Sequence, residues 1–280
     1  MKTRVITSVF IAAVLLAVLL LSETPVFSIS LSILAVIASV EVLRVFDIDK
    51  KYLVSIPACI ISAVMPALAY FMLETFELQE YKFIVALALA LFVFLLYLFV
   101  AAVFMKGKLE FASISAVFML VMYIVCSFSA LVVIRYIGNA GIFNIGIVFI
   151  GAWISDIFAY FSGRLFGKHK LIPEISPKKT VEGSIGAIIC TMLFMLLYGW
   201  IISLTTELSV NYLVLAIAGP VLSVVGQIGD LIASLVKRER GVKDYGKLLP
   251  GHGGIMDRFD SILTVSGGAM IIVLLFAPFT

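Results

Sequence analysis

The chain has 280 residues, 63% of them hydrophobic and only 13% charged, and a formal net charge of +3. Soluble domains carry about 25% charged residues and disordered chains are poor in apolar ones, so both classes are excluded. So small an excess of positive charge gives no footing for a nucleic-acid partner, and none is expected.

In chain order the apolar residues form long runs: Val5–Leu21, Val26–Leu43, Leu53–Leu73, Phe83–Met105, Phe111–Ile134, Ile142–Ser162, Ser184–Leu204, Tyr212–Val236 and Ser261–Phe279. A helix crosses some 30 Å of hydrocarbon with about 20 residues, and in lipid its backbone satisfies itself. The expected fold is therefore all-α, a polytopic integral membrane protein of about nine transmembrane helices. The first run follows Lys2 and Arg4 and has the look of a secretory leader, but Ser22-Glu23-Thr24-Pro25 lacks a small-residue cleavage pattern, so it is expected to be retained.

Basic residues alternate between loops. Lys2 and Arg4 precede the first run; Arg44, Lys50 and Lys51 lie in the second loop, and Lys106 and Lys108 in the fourth. Arg164, Lys168, Lys170, Lys178 and Lys179 fall in the sixth loop, and Lys237, Arg238, Arg240, Lys243, Lys247 and Arg258 in the eighth. Only Lys82 and Arg135 fall in the opposite loops. The amino terminus and the even loops are thus expected in the cytoplasm and the carboxyl terminus outside, which an odd number of spans requires. Residues 1–136 would form about five spans with no assigned role. Residues 137–280 would form a catalytic region of about four, with cytoplasmic loops at 163–183 and 237–260. The cysteines, Cys59, Cys126 and Cys190, are odd in number and lie inside apolar runs, so no disulfide framework is expected.

Three acids stand inside apolar runs. Glu41, near Arg44 and a span end, is expected to snorkel to the interface. Asp156 and Asp230 are deeper; Asp230 precedes Val236 by six positions, about 9 Å along a helix. Such residues face a partner or a wet cavity. Asp257 and Asp260, three apart, share a face at the start of the last helix. With Asp230 they make an oxygen cage suited to Mg²⁺, although acids there also complement a helix dipole. Lys237, Arg238, Lys243, Lys247, Arg258, Lys178 and Lys179 surround these acids in the sequence. They suit a phosphate-bearing substrate, or else the ordinary cytoplasmic bias. Gly251, Gly253 and Gly254 flank His252 and allow backbone amides to approach phosphate oxygens, although any turn uses glycine. The stretch Gly241–Leu248 imitates a phosphate-binding loop, but Leu248 replaces the Ser or Thr that pattern requires and no strand precedes it.

The segment Ser234–Asp260, SLVKRERGVKDYGKLLPGHGGIMDRFD, resembles the signature of the CDP-diacylglycerol synthases, or phosphatidate cytidylyltransferases. Ser234, Lys237, Arg238, Lys243, Asp244, His252, Gly253, Gly254, Asp257, Arg258 and Asp260 fill its fixed positions. Asp156, Tyr160, Gly163, Phe166, Gly167 and Lys168, then residues 175–180 (ISPKKT) and Glu182-Gly183, are similar to the family too. The resemblance implies a membrane enzyme joining CTP to phosphatidic acid to give CDP-diacylglycerol and pyrophosphate. It also implies Mg²⁺, K⁺ as a second metal, a homodimer and a site facing the cytoplasm; between a bacterial inner membrane and an organelle's, the short chain without a targeting tail favours the bacterial one.

On that reading Asp230 and Asp257 hold the metal and Asp260 completes or orients the shell. Lys178, Lys179, Lys237, Arg238, Lys243 and Arg258 neutralise phosphate, Asp244 orients Lys243, and Gly253 and Gly254 admit the backbone to the substrate. His252 is structural within its turn. Two rival activities fit parts of the pattern: a CTP-dependent lipid-alcohol kinase, and an ion or organic-anion transporter using Asp156 and Asp230.

Overall fold

The computed structural model describes residues 2–75, 79–105 and 110–280. Lys106 and Lys108 of the basic alternation lie outside them. Among the described residues eight helical segments are long and apolar enough to cross a bilayer; α1 (Lys2–Leu20) carries a shorter apolar stretch, Ile11–Leu20. The chain divides into two compact units, Met1–Tyr136 with Val242–Arg258, and Ile137–Gly241 with Phe259–Thr280.

The first unit holds α1, α2 (Val26–Val45), α3 (Tyr52–Tyr70), α4 (Glu80–Phe104) and α5 (Phe111–Tyr136). Its core forms where α5 meets α2 and α3, around Val121, Ile124, Val125, Phe128 and Val132 of α5 and the small faces Ala35, Ala38 and Ala58. Ser39 and Ser62 hydrogen-bond at 2.8 Å between α2 and α3, and Ser62 donates onward to the Ala58 carbonyl, so the buried hydroxyls satisfy one another. By contrast α4 buries only Phe83, Phe94, Leu98 and Ala101 and exposes Val85, Leu89, Phe92 and Val103. An apolar face that open suits hydrocarbon rather than water.

In the second unit α6 (Gly141–Phe149) and α7 (Ser155–Phe166) form one rod, joined by a π-helical turn at Ile150–Ile154. A π turn inserts a residue and so re-aims the side chains that follow it, here Ser155 and Asp156. The stretch 163–183, expected as a loop, is largely regular. α7 runs to Phe166, β1 (Lys170–Ile172) and β2 (Ser176–Thr180) make an antiparallel hairpin, and α8 (Val181–Thr205) starts directly after β2. Period-two reasoning misses so short a hairpin because β2, four polar residues and a proline, shows no apolar alternation. The last helix likewise starts earlier than its apolar run: α10 (Met256–Phe276) takes in both Asp257 and Asp260.

Glycines set the helix spacing. α7 and α8 approach backbone to backbone: a Cβ on Gly183 would lie 2.6 Å from the Ala159 carbonyl and 3.1 Å from the Gly163 Cα. Thr180 closes the same corner, its hydroxyl capping α8 by accepting from the Gly183 N–H at 3.1 Å. Between α9 (Tyr212–Glu239) and α10, Gly229 lies against Thr264 and the Asp260 carbonyl, which a Cβ would approach to 2.8 Å. This contact sets Asp230 beside Asp260. Gly229→Ala should lower stability by about 1–3 kcal/mol, the cost of overpacking a close-packed contact. A melting temperature in detergent equal to the parent's would contradict this account of the α9–α10 spacing.

Candidate active site

In the second unit α7, α8, α9, α10 and the hairpin enclose a cavity of about 400 Å³ lined by Asp156, Lys178, Lys179, Gln227, Asp230 and Asp260, among others. Each element delivers its residue for a local reason. The π turn presents Asp156 from α7. The hairpin and the capped start of α8 hold Lys178 and Lys179 at a strand end. The Gly229 contact brings Asp230 and Asp260 together from two helices.

The charges interlock. Lys179 Nζ lies 2.6 Å from an Asp230 oxygen and also donates to the Gln227 carbonyl at 3.3 Å. Ser261 donates to Asp156 at 2.9 Å, and its backbone N–H donates to Asp260 at 2.9 Å, so one residue links two of the acids. Asp260 lies within electrostatic reach of Asp230, Asp156 and Lys237. A buried polar ladder backs the cluster: Ser155 and Ser223 hydrogen-bond at 2.8 Å, and Gln227 donates to Ser223 at 3.2 Å. Three acids held near one another at membrane depth repel unless cations join them; Lys179 supplies one positive charge and leaves room for more.

Asp257 belongs to the first unit, with the loop Val242–Arg258. One of its oxygens accepts the backbone N–H groups of Tyr245 at 2.7 Å and Gly254 at 3.0 Å. The loop is itself folded: Leu249 donates to Gly253 at 2.9 Å, His252 donates to Leu249 at 2.8 Å, and Arg258 Nε donates to the His252 carbonyl at 2.7 Å. Gly253 has φ +87, a conformation side chains resist, and a Cβ there would meet the Asp257 carboxylate at 2.9 Å. Lys243 and Asp244 are exposed in this loop. Arg238, exposed in α9, donates from Nε to Ile175 at 3.4 Å, tying that helix end to the hairpin.

The carboxylates expected to share one metal are drawn from both units. Asp230 and Asp260 stand in one unit with Asp156, and Asp257 stands in the other. Among the described residues no three His, Cys, Asp or Glu side chains form a ready-made metal shell. Reading the sequence left Asp156 outside the metal set and did not single out Arg164, Gln227 or Ser261, all of which line the cavity. Arg164 and Ser261 carried no signal beyond their loop and helix-start positions, whereas Gln227, one turn before Asp230 in an apolar run, was legible. Glu41 differs from expectation. Rather than snorkelling it is 3% exposed, and it accepts the backbone N–H groups of Ile255 at 3.0 Å and Met256 at 2.9 Å.

Helices long enough to span a bilayer, enclosing acids and lysines around a cavity, define a polytopic membrane protein with a charged cavity among its helices. The profile of the cytidylyltransferase family matches residues 2–276, and the chain belongs to that family. It is 35% identical over 277 residues to the phosphatidate cytidylyltransferase of Bacillus subtilis (strain 168), covering 99% of both chains. It is 34% identical over 270 residues to that of Staphylococcus haemolyticus, covering 95% of this chain and 96% of the relative. The Staphylococcus epidermidis enzyme is 37% identical over the same shares.

Proposed function

We propose that this chain transfers the CMP moiety of CTP to phosphatidic acid, forming CDP-diacylglycerol and releasing pyrophosphate. The observation that carries this, beside family membership, is the intramembrane cavity in which Lys178 and Lys179 face Asp156, Asp230 and Asp260. A polyphosphate needs positive groups, and the acids need a cation that the polyphosphate can share.

The donor set fits Mg²⁺, which takes a few carboxylates, waters and substrate phosphates rather than a full protein cage. Asp230 and Asp260 would hold it, with Asp257 as the third carboxylate; bound there it would offset charge on the nucleophile and leaving group. K⁺ as a second ion and a homodimeric assembly, both implied by the resemblance, belong to the same proposal.

In the reaction an ionised phosphatidate oxygen forms a bond to the α-phosphorus of CTP while the bond to the bridging oxygen of the β-phosphate breaks and pyrophosphate departs. A phosphate monoester near pH 7 already carries about 1.5 to 2 negative charges, so no strong general base is required. Lys178, Lys179, Lys237, Arg238, Lys243 and Arg258 neutralise and orient the phosphates, Asp244 orients Lys243, and Gly253 and Gly254 let the backbone close on the substrate. The acyl chains stay in the bilayer, so the lipid arrives sideways with its headgroup at the interface. The basic alternation supports a cytoplasmic site, and the bacterial relatives support a bacterial inner membrane.

Purified protein given CTP, phosphatidic acid and Mg²⁺ should release pyrophosphate and place the α-phosphate label of CTP in lipid, with the γ label leaving in pyrophosphate. Label from the γ position in lipid would mean a kinase. Nucleotide left intact, with anion flux into sealed vesicles, would mean a transporter.

A further inference from the structure

The amino-terminal helices of the first unit have no part in the reaction as derived so far, yet they contain a buried acid whose surroundings are specific. Glu41, on α2, is 214 positions from its hydrogen-bond partners, the N–H groups of Ile255 and Met256 that open α10. Those N–H groups have no partner inside a helix, and the carboxylate satisfies both at the positive end of the helix dipole. The loop closes around the same carboxylate. A Cβ on Gly246 or on Gly254 would collide with the Glu41 carboxylate, so a larger residue at either position has to displace it. Asp257 pins the loop from the other side through Tyr245 and Gly254. Two carboxylates, one from α2 and one from α10, therefore take four backbone N–H groups, three in the loop and one at the first residue of α10.

We propose that Glu41 is a positioning residue of the transfer reaction: its carboxylate sets the conformation of the loop Val242–Ile255 and so the placement of Lys243, Asp257 and Arg258. This rests on the cytidylyltransferase reading of those three residues. It gives the amino-terminal helices a task, to hold a rigid acceptor for a loop that is polar and glycine-rich and could not hold its own shape. Glutamine at position 41 keeps one acceptor oxygen but turns an NH₂ group toward the second N–H, whereas leucine satisfies neither.

The test uses the full-length chain in detergent or nanodiscs, with steady-state kinetics and amide hydrogen exchange. E41Q should lower kcat/KM for CTP about tenfold and E41L about a hundredfold, in line with the effect of an ångström-scale misplacement. Exchange should quicken in residues 245–257 and stay unchanged in α3 and α5. G246A should reproduce E41Q by forcing the carboxylate out, and E41A/G246A should be no slower than E41A, because the small side chain leaves room for the added methyl group. Turnover of E41Q and E41L within twofold of the parent would overturn the proposal. So would faster exchange spread through α2, α3 and α5 with the remaining folded protein fully active, since that marks a merely structural role. If E41L fails to fold, E41Q and G246A decide between the same outcomes. A parent protein without CTP-dependent turnover would defeat the reading of the reaction, and the exchange pattern would still decide the clamp.

Discussion

Asp230→Asn should cut CTP-dependent formation of CDP-diacylglycerol by on the order of a thousandfold while the protein still folds, the scale of losing one preorganised electrostatic group at a phosphoryl centre. Folding should survive because the asparagine keeps an amide oxygen that can accept from Lys179 Nζ, and both side chains retain a face on the cavity. The substitution has two consequences to separate: loss of a charge that would hold the cation, and release of Lys179 from its partner. Lys179→Met in the Asp230→Asn background separates them. If the defect came from an unpaired lysine, the double variant would regain turnover; if the carboxylate itself is required, it stays inactive. Asp230→Asn combined with Asp260→Asn should be no slower than the slower single variant, because groups that act as one unit do not add. An Asp230→Asn enzyme retaining more than about a tenth of parental turnover would remove this residue from the metal assignment.

How far the site could be read from the residues depended on what each signal was. Asp230 stood out because an aspartate in an apolar run is costly and therefore specific, and the same logic found Asp156. Lys178 and Lys179 were legible through the motif they sit in, but the hairpin that carries them was not, since β2 has no apolar period to announce it. Glu41 was misread for a physical reason. Its local context, an acid three residues from Arg44 near a span end, favours an exit to water, and only a contact across 214 positions reverses that. The spans came through well, because hydropathy over some 20 residues is a long, redundant signal, whereas which helices lie at the centre did not. Hydropathy points the other way: α5, buried along its length, carries Ser113, Ser115, Ser127 and Ser129, whereas the more apolar α4 leaves most of its surface open. The pairing of Asp257 with loop N–H groups was likewise invisible, because acceptors for backbone donors leave no trace in residue type.

Asp257 offers the sharpest separation of structure from chemistry. Its carboxylate oxygen accepts from Tyr245 and Gly254, and an asparagine at this position can present its amide oxygen to the same two N–H groups. Asp257→Asn should therefore keep the loop fold while removing the charge, and Asp257→Ala should lose both. If the charge serves the reaction, Asp257→Asn loses turnover on the order of a thousandfold with parental amide protection at Tyr245 and Gly254. Asp257→Ala is then equally inactive but unprotected at those two amides. If the residue serves only to shape the loop, Asp257→Asn keeps turnover within a few-fold of the parent and Asp257→Ala alone fails. That second pattern would strike Asp257 from the carboxylates assigned to the cation and leave Asp230 and Asp260 to hold it with Asp156, the third acid lining their cavity. Measuring turnover beside exchange at two named amides distinguishes the cases even if alanine unfolds the loop, because the asparagine variant alone carries the decision.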